Sequence, residues 1–509
     1  MLRSACCRAR NLSAAQSWKL LRADALSEVC HGSSTTPFST PITGLSVVRG
    51  EPEAARRLDI LIEKAKEAGG LADPLARGRL ASLLDYRGKH KEALGVLGDT
   101  SVTAKGETPS GARAALGLLE GIVTRHVALE EERNRRLMEG GAGQHGLPME
   151  AVDASISAEE FRERFILPGT PCIVKNSGVP PSWTPETLVE RLGSRRVPLR
   201  GQGDPTSTEW AQLEFRGTAP FDSFVQEHIL GQASSSSSSS SPPVSPDGKA
   251  PPQLFDFSIW QSCSDVLADE VVMPKWFGVD LYTHATCRVN PVTGSASPTV
   301  FLASKGTQSG LHVDFLHTHF WMAMCYGRKR WRVVHRDDLS LFYPRYLGDF
   351  NPTFPAGLDD MVDEESRPAA RLANVYEVIL EPGDLIYVPA GSPHKVENLD
   401  TTVAVSANFV DRSNVKQAHA EASLLGLVSE DPGLVASSFE ESQRLGGALE
   451  ELEGTMPSET HEPLRLFKAR HGELRSPQET QQRLLTGFKV TVGVIALSVG
   501  AWFYHRSTR

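Results

Sequence analysis

The segment from Gly306 to Asp314 reads Gly-Thr-Gln-Ser-Gly-Leu-His-Val-Asp, and it decides how the rest of this 509-residue chain is interpreted. His312 and Asp314 stand two residues apart, so on a β-strand both side chains project from one face toward a common point. His394 follows the turn at residues 389–393 and begins another strand. The sequence therefore predicts a metal site of two histidines and one carboxylate, with Fe(II) as the first interpretation and catalytic zinc as the alternative.

Short strands separated by turns surround these three residues. Apolar, β-rich stretches occupy 299–303, 320–326, 331–335, 375–380, 385–388 and 402–410. Pro382-Gly383 and residues 389–393 are turn signals between the later strands. Many short strands at this spacing predict a mainly β fold, either a barrel or a jelly roll.

The same segments resemble a known family, the JmjC (jumonji-C, cupin-like) oxygenases. Residues 306–314 resemble the motif that opens the iron site of that family, and residues 394–402 resemble the segment around its distal histidine. Further similarity lies in 165–174, in 254–257 and in a W…GxKRW pattern formed by Trp321, Gly327, Lys329, Arg330 and Trp331. The resemblance covers about 155–412 and is closest to the small hydroxylases, because no chromatin-reader module is visible. It implies a double-stranded β-helix.

The resemblance also implies which residues bind the cosubstrate. Lys329 matches the lysine that holds the distal carboxylate of 2-oxoglutarate, and a buried ammonium needs such a partner. Ser309, Ser406 and Asn408 match positions where the family places hydroxyl or amide groups near the cosubstrate. Met322 departs from the pattern, since close relatives tend to carry asparagine there. Two other histidines, at positions 317 and 319, suggest a second metal, but loop or supporting roles suit their spacing better.

The expected function is an Fe(II)- and 2-oxoglutarate-dependent dioxygenase that hydroxylates or demethylates a protein side chain, with release of succinate and CO2. The first alternative is a catalytically silent, membrane-anchored scaffold, and the second is a metal-dependent hydrolase. The intact ligand set at His312, Asp314 and His394 argues against the scaffold. Dependence on 2-oxoglutarate separates the three.

Composition narrows the class of protein further. The net charge of -9 and a pI of about 6.0 give no global field that attracts nucleic acid. The seven cysteines are scattered and form no CxxC pair, so neither a zinc knuckle nor a disulfide framework is indicated. The partners expected are a protein or peptide substrate, a membrane, and a protein bound at the helical region described next.

The chain divides into five expected regions. Residues 1–50 are a basic targeting segment or a disordered tail, and 51–138 are helical because apolar residues recur at helical spacing. The JmjC domain spans 155–412 and is interrupted at 231–252 by a Ser/Pro-rich insertion that cannot bury a core. A helical or linker region, 413–487, leads to an apolar tail anchor at 488–504 with basic flanks. The expected location is a single-pass mitochondrial or endoplasmic reticulum membrane, with the catalytic domain in the cytosol.

Overall fold

The computed structural model describes residues 52–67, 74–98, 110–203, 210–231, 250–278, 280, 298–346, 352–354, 367–415, 417–418 and 458–470. Within them, two β-sheets are packed face to face, and a group of helices lies at the amino-terminal side. The predicted targeting segment, most of the Ser/Pro-rich insertion and the predicted tail anchor lie outside the described residues.

Four helices form the amino-terminal unit: α1 (Pro52–Glu67), α2 (Pro74–Arg87), α3 (His90–Gly98) and α4 (Ser110–Glu139). Leu58 and Ile62 of α1 are buried against Leu80 and Leu84 of α2 in a separate apolar cluster. These pairs are spaced four residues apart, so each helix presents one apolar stripe to its neighbour. Of the described helices, none is both long and apolar enough to cross a bilayer.

The smaller sheet has five strands in the order β1-β12-β11-β14-β9, and three of its four strand pairings join strands that are not consecutive in the chain. Its strands are β1 (His145–Pro148), β12 (Val375–Leu380), β11 (Lys329–Val334), β14 (His394–Asn398) and β9 (Gln308–His312). β1 and β12 are parallel, whereas the other neighbours are antiparallel. This sheet therefore places Lys329, His312 and His394 on three adjacent strands.

The larger sheet has nine strands in the order β2-β3-β13-β10-β15-β8-β6-β4-β5. They are β2 (Glu150–Asp153), β3 (Cys172–Lys175), β4 (Arg196–Gln202), β5 (Leu213–Pro220), β6 (Gln253–Ser258), β8 (Thr299–Ala303), β10 (His319–Tyr326), β13 (Leu385–Val388) and β15 (Thr402–Phe409). A third, two-stranded sheet pairs β7 (Val272–Met273) with β16 (Glu462–Pro463), which leads into a helix at Leu464–Arg470. The mainly β, jelly-roll-like fold expected from the sequence is confirmed.

Apolar side chains fill both sides of the larger sheet. Phe301, Phe320 and Met322 face Trp331 and Val333 of the smaller sheet in a shared interior cluster. The opposite face packs against short helical segments at Ala158–Phe161, Arg162–Ile166, Pro185–Leu192, Phe221–Phe224, Val225–Leu230, Ile259–Ser262 and Ser264–Leu267. Because both faces are covered, β15 is buried along nearly its whole length.

The strands begin earlier than the resemblance implied. β1 and β2 lie before residue 155, and each pairs in parallel with a strand of one sheet. Strand pairing satisfies their backbone donors and acceptors, which explains why a short polar stretch is ordered there. The segment between the helical unit and residue 155 therefore belongs to the β-sheets.

The turn that precedes Lys329 requires a glycine. Gly327 has φ +70°, and a Cβ at this position would collide with the carbonyl oxygen of Thr401. Only glycine meets both conditions without strain. The turn between β10 and β11 therefore requires the glycine of the GxKRW pattern.

Candidate metal centre

The two predicted histidine ligands face each other across neighbouring strands. His312 ends β9, His394 begins β14, and the two residues are direct partners in the antiparallel register. Their ring centroids lie 4.2 Å apart, and both side chains are buried. Direct cross-strand partners have their Cβ atoms close together. The pairing therefore brings His312 and His394 into contact although they are 82 positions apart in the chain.

Asp314 completes the group from a position just beyond the strand. β9 ends at His312, and Asp314 precedes a short 3₁₀ turn, so the predicted arrangement of both side chains on one strand face is not what brings them together. Its Oδ1 lies 4.0 Å from Nε2 of His312 and 3.9 Å from Nε2 of His394. Its other oxygen, Oδ2, accepts a hydrogen bond of 3.1 Å from the amide of Asn408. The amide thus fixes which oxygen points toward the histidines.

Hydrogen bonds to the backbone orient both imidazoles. Nδ1–H of His312 donates to the carbonyl of Gly310 at 2.7 Å, and Nδ1–H of His394 donates to that of Ser392 at 3.0 Å. Each Nε2 lone pair is therefore directed toward Asp314. This is how metal-binding histidines are usually held, with the non-coordinating nitrogen donating to a second group.

Burial also sets the charge of this group. It lowers the pKa of His312 well below its ordinary value, an effect to which the neighbouring His394 adds. Burial likewise raises the pKa of Asp314, against the opposing effects of His394 and Asn408. Burial therefore favours the neutral forms of His312 and Asp314. A cation bound by the carboxylate and by the imidazole nitrogens would offset the cost of burying the charge.

Lys329 lies on β11 with its side chain in the apolar interior. It is 4% exposed, and its ammonium is 5.9 Å from the centre of the Phe301 ring. Burial lowers its pKa to about 7. Among the described residues no acidic side chain forms an ion pair with it, so an anion that entered the interior would favour the protonated amine.

The other residues predicted to bind the cosubstrate lie on two strands, Ser406 and Asn408 on β15 and Ser309 on β9. Ser406 is buried on β15, where its hydroxyl is 3.1 Å from that of Thr299 and its direct partner on β10 is Met322. Ser309 is buried on β9 opposite Val396. Asn408 contacts the metal-site carboxylate and also donates to Thr318 Oγ1 at 2.9 Å. Met322 faces the interior and offers no strong hydrogen-bonding group.

His319 has the supporting role expected from the sequence, but through partners that the sequence did not indicate. It is fully buried, and its Nδ1 accepts hydrogen bonds from the backbone N–H of Ala390 at 3.0 Å and from the hydroxyl of Tyr387 at 2.8 Å. Its Nε2–H donates to Ser413 Oγ at 2.9 Å. His319 therefore connects the turn before His394 to the segment that follows β15.

His317 is placed differently from His319. It has a left-handed backbone (φ +50°), and burial lowers its pKa to about 4. A Cβ on Gly391 would approach the ring of His317, so the two segments are closely packed. Among the described residues, the ligand atoms that come together here are those of His312, Asp314 and His394, and His317 does not belong to this group. The supporting role suits both histidines better than a second metal.

The geometry thus defines a class of protein: a fold of two packed β-sheets that brings two histidines and an aspartate together and buries a lysine that has no acidic partner among the described residues. The family model of the cupin-like domain matches residues 157–414, just over half of the chain. The chain therefore belongs to the cupin-like family, as the JmjC resemblance implied.

The chain is also similar to individual oxygenases and demethylases. The mouse 2-oxoglutarate and iron-dependent oxygenase JMJD4 is 23% identical over 301 residues, which cover 54% of this chain and 64% of the relative. The Arabidopsis thaliana arginine-specific demethylase JMJ20 is 31% identical over 116 residues, 23% of this chain and 24% of the relative. The Xenopus tropicalis lysine-specific demethylase 8 is 23% identical over 266 residues, 49% and 50% respectively. The chain spans less than two thirds of each relative.

Proposed function

We propose that this protein is an Fe(II)- and 2-oxoglutarate-dependent oxygenase that acts on a protein side chain. The observation that carries the proposal is the convergence of His312, Asp314 and His394 in the same fold as the buried Lys329, which has no acidic partner among the described residues. A hydrolase would need the metal ligands but not the lysine. The names of the relatives support the same reaction class.

Each residue has a defined task in this proposal. His312, Asp314 and His394 would hold Fe(II), and the hydrogen bonds from Asn408 and to the backbone carbonyls keep the three donor atoms aimed at one point. Lys329 would pair with the distal carboxylate of 2-oxoglutarate, which also offsets the cost of burying its charge. The buried hydroxyl groups of Thr299, Ser406 and Ser309 would assist in binding the cosubstrate.

Iron and 2-oxoglutarate, when bound, supply the oxidising power that inserts one oxygen atom of O2 into a C–H bond, while 2-oxoglutarate loses CO2 and becomes succinate. The protein contributes orientation and shielding. Phe320 and Trp331 are buried and stack beside the ring of His394, and such apolar walls would shield the site from water. Exclusion of water strengthens every electrostatic contact in the site.

The substrate we propose is a basic side chain, hydroxylated on carbon or freed of an N-methyl group. The relatives named as arginine- and lysine-specific demethylases support this class. Within this chain, the carboxylate of Asp256 offers the complementary charge. Asp256 is accessible to solvent, has φ +58° at a bulge in β6 and hydrogen-bonds to Thr299. Bulges beside active sites commonly redirect a side chain in this way. The protein around the carboxyl group raises its pKa by desolvation, so a basic substrate would favour the ionised form.

The test is succinate formation by the full chain supplied with Fe(II), ascorbate and 2-oxoglutarate. We expect uncoupled turnover from the wild type and none from a His312→Ala, Asp314→Ala variant. Lys329→Met should lose turnover, whereas Lys395→Met, a partly exposed lysine on the neighbouring strand, should retain it. Turnover that survives removal of both ligands would exclude this metal centre as its source.

A membrane-anchored scaffold is the second candidate, and it rests on the apolar stretch at 488–504. We propose that this stretch anchors the protein in a mitochondrial or endoplasmic reticulum membrane, with the barrel in the cytosol and the helical unit free to bind a protein. Resistance to carbonate extraction would support the anchor. Digestion of a tagged barrel by protease added to intact organelles would support its cytosolic position. A wild type that binds neither Fe(II) nor 2-oxoglutarate would leave the scaffold as the function.

A further inference from the structure

A second cluster of metal-ligating side chains lies in the helical unit. Asp85 of α2, His90 of α3 and His126 of α4 are each buried, with at most 7% of their surface exposed. Oδ1 of Asp85 is 2.9 Å from Nδ1 of His90 and 2.8 Å from Nδ1 of His126. All three ligand atoms lie within 4.8 Å of one another. Three helices therefore direct two imidazoles and a carboxylate at one point, as in metal sites of helical bundles.

The cluster borders a cavity of about 20 Å³ between the helical unit and the segment after β11. This volume suits a single water molecule. Ser340 lines the same cavity, is 2% exposed, and its hydroxyl has no hydrogen-bond partner among the described residues. A buried hydroxyl without a partner is costly, so the cavity is built for a polar occupant.

We propose that Asp85, His90 and His126 bind a first-row divalent cation of the Zn(II) type, with a water molecule in the cavity as a further ligand. Imidazole nitrogen and carboxylate oxygen are the donors that zinc takes in proteins. Ligands held about 2.0–2.1 Å from a tetrahedral zinc stand roughly 3.3 Å from each other. The separations of 2.9 and 2.8 Å between Asp85 and the two histidines would therefore widen by a few tenths of an ångström on binding. A cation would also neutralise a carboxylate that is costly to bury.

The surroundings of the cluster carry mixed charge. Nη1 of Arg345 approaches Nε2 of His90 at 3.4 Å, longer than a normal N–H hydrogen bond, and opposes a cation. The carboxylate of Glu130 lines the same cavity, but so does its ion-pair partner Arg133, 3.4 Å away. The alternative explanation of these distances is that Nδ1–H of each histidine donates a hydrogen bond to Asp85 and that no metal binds. This alternative predicts no metal uptake.

Metal at this point would tie two parts of the molecule together. The ring of His126 stacks on Tyr346 at 4.2 Å, and Arg133 lies over the ring of Tyr343 at 4.4 Å. Arg136 of the same helix forms an ion pair with Asp338. The cluster is therefore the buried centre of the contact between α4 and the segment that follows β11.

The experiment uses the full chain with His312, Asp314 and His394 all changed to alanine, so that the barrel site cannot contribute. Protein stripped with a chelator is titrated with Zn(II) and with Co(II), and bound metal is counted by mass spectrometry and by Co(II) absorption. We expect one equivalent, with affinity reduced at least tenfold by Asp85→Asn or His126→Gln. His145→Gln removes an exposed histidine elsewhere and should leave binding unchanged.

The outcome is decisive even if the cluster variants fold poorly. No uptake by the parent protein overturns the proposal and leaves the hydrogen-bonded arrangement. Uptake that both cluster variants retain, with unchanged far-ultraviolet circular dichroism, also overturns it. A Co(II) spectrum with ligand-field bands that Asp85→Asn or His126→Gln abolishes supports it. Because the barrel ligands are absent throughout, failure here leaves the proposed oxygenase untouched.

Discussion

Replacing Lys329 with methionine should stabilise the folded protein while removing 2-oxoglutarate binding. Methionine keeps the unbranched shape of lysine but carries no charge to desolvate. Burial lowers the pKa of Lys329 from 10.5 to about 7. At about 1.4 kcal/mol per pH unit, this difference corresponds to roughly 4–5 kcal/mol of unfavourable burial. We therefore expect the free energy of unfolding to rise by as much as about 4 kcal/mol at pH 7, or several degrees in Tm.

The pH dependence provides an independent readout. Between pH 7 and 10.5 the unfolded chain holds a proton on Lys329 that the folded chain has released. The free energy of unfolding of the wild type therefore rises with pH across this window, by up to about 1.4 kcal/mol per unit from this group. Lys329→Met lacks that contribution, and subtracting the two curves removes the shared effects of other groups.

The assay is urea denaturation followed by tryptophan fluorescence at pH 7, 8 and 9, without iron or 2-oxoglutarate. Lys395→Met is the matched control, because its side chain is only partly buried and its loss should change stability little. The reasoning is refuted if Lys329→Met is less stable than the wild type at pH 7. It is also refuted if both proteins show the same change of stability with pH.

Further predictions concern affinity and folding. The KM for 2-oxoglutarate should rise above pH 7, by up to about tenfold per unit, because Lys329 must take up a proton to pair with the anion; a pH profile that Lys329→Arg fails to flatten would count against this. Asn408→Ala should weaken Fe(II) binding about 10–100-fold, measured by titration, since Asp314 loses its orienting donor. His319→Ala should cost about 3 kcal/mol or more in urea denaturation, because it leaves buried partners unsatisfied; a cost under about 1 kcal/mol would contradict that. Gly327→Ala should give little folded protein, as judged by soluble yield and circular dichroism, because the turn has no room for a Cβ.

Strand identity could be predicted from the sequence because apolar alternation and turn residues are local signals. β12 and β13 have the predicted bounds, and β8 does as well. β11 begins at Lys329, two residues before the predicted start, because the tight turn at Gly327 lets pairing with β12 and β14 begin at once. Pairing partners are not local signals, which is why the parallel strands β1 and β2 were not predicted to join the sheets.

The candidate site shows the same division between local and distant information. The spacing of His312, Asp314 and His394 identified the ligand types, but the cross-strand pairing of the two histidines depends on register. The task of His319 depends on Tyr387, Ala390 and Ser413, which lie 68, 71 and 94 positions further along the chain. No spacing rule connects such residues. The cluster in the helical unit was missed for the same reason, since His126 lies 41 residues after Asp85.

Lys329 is the residue that separates the enzyme from the scaffold most clearly on energetic grounds. A scaffold gains nothing from a lysine in an apolar interior, and methionine there would be more stable by several kcal/mol. Within the described residues, the lysine lies over the Phe301 ring. No ion-pair partner among these residues offsets the free-energy cost of desolvating its charge. The cost is recovered only when an anion enters, and the open metal-ligand group in the same barrel would hold the other end of a chelating dicarboxylate. The unfavourable lysine is thus physical evidence for binding, because folding alone selects against it.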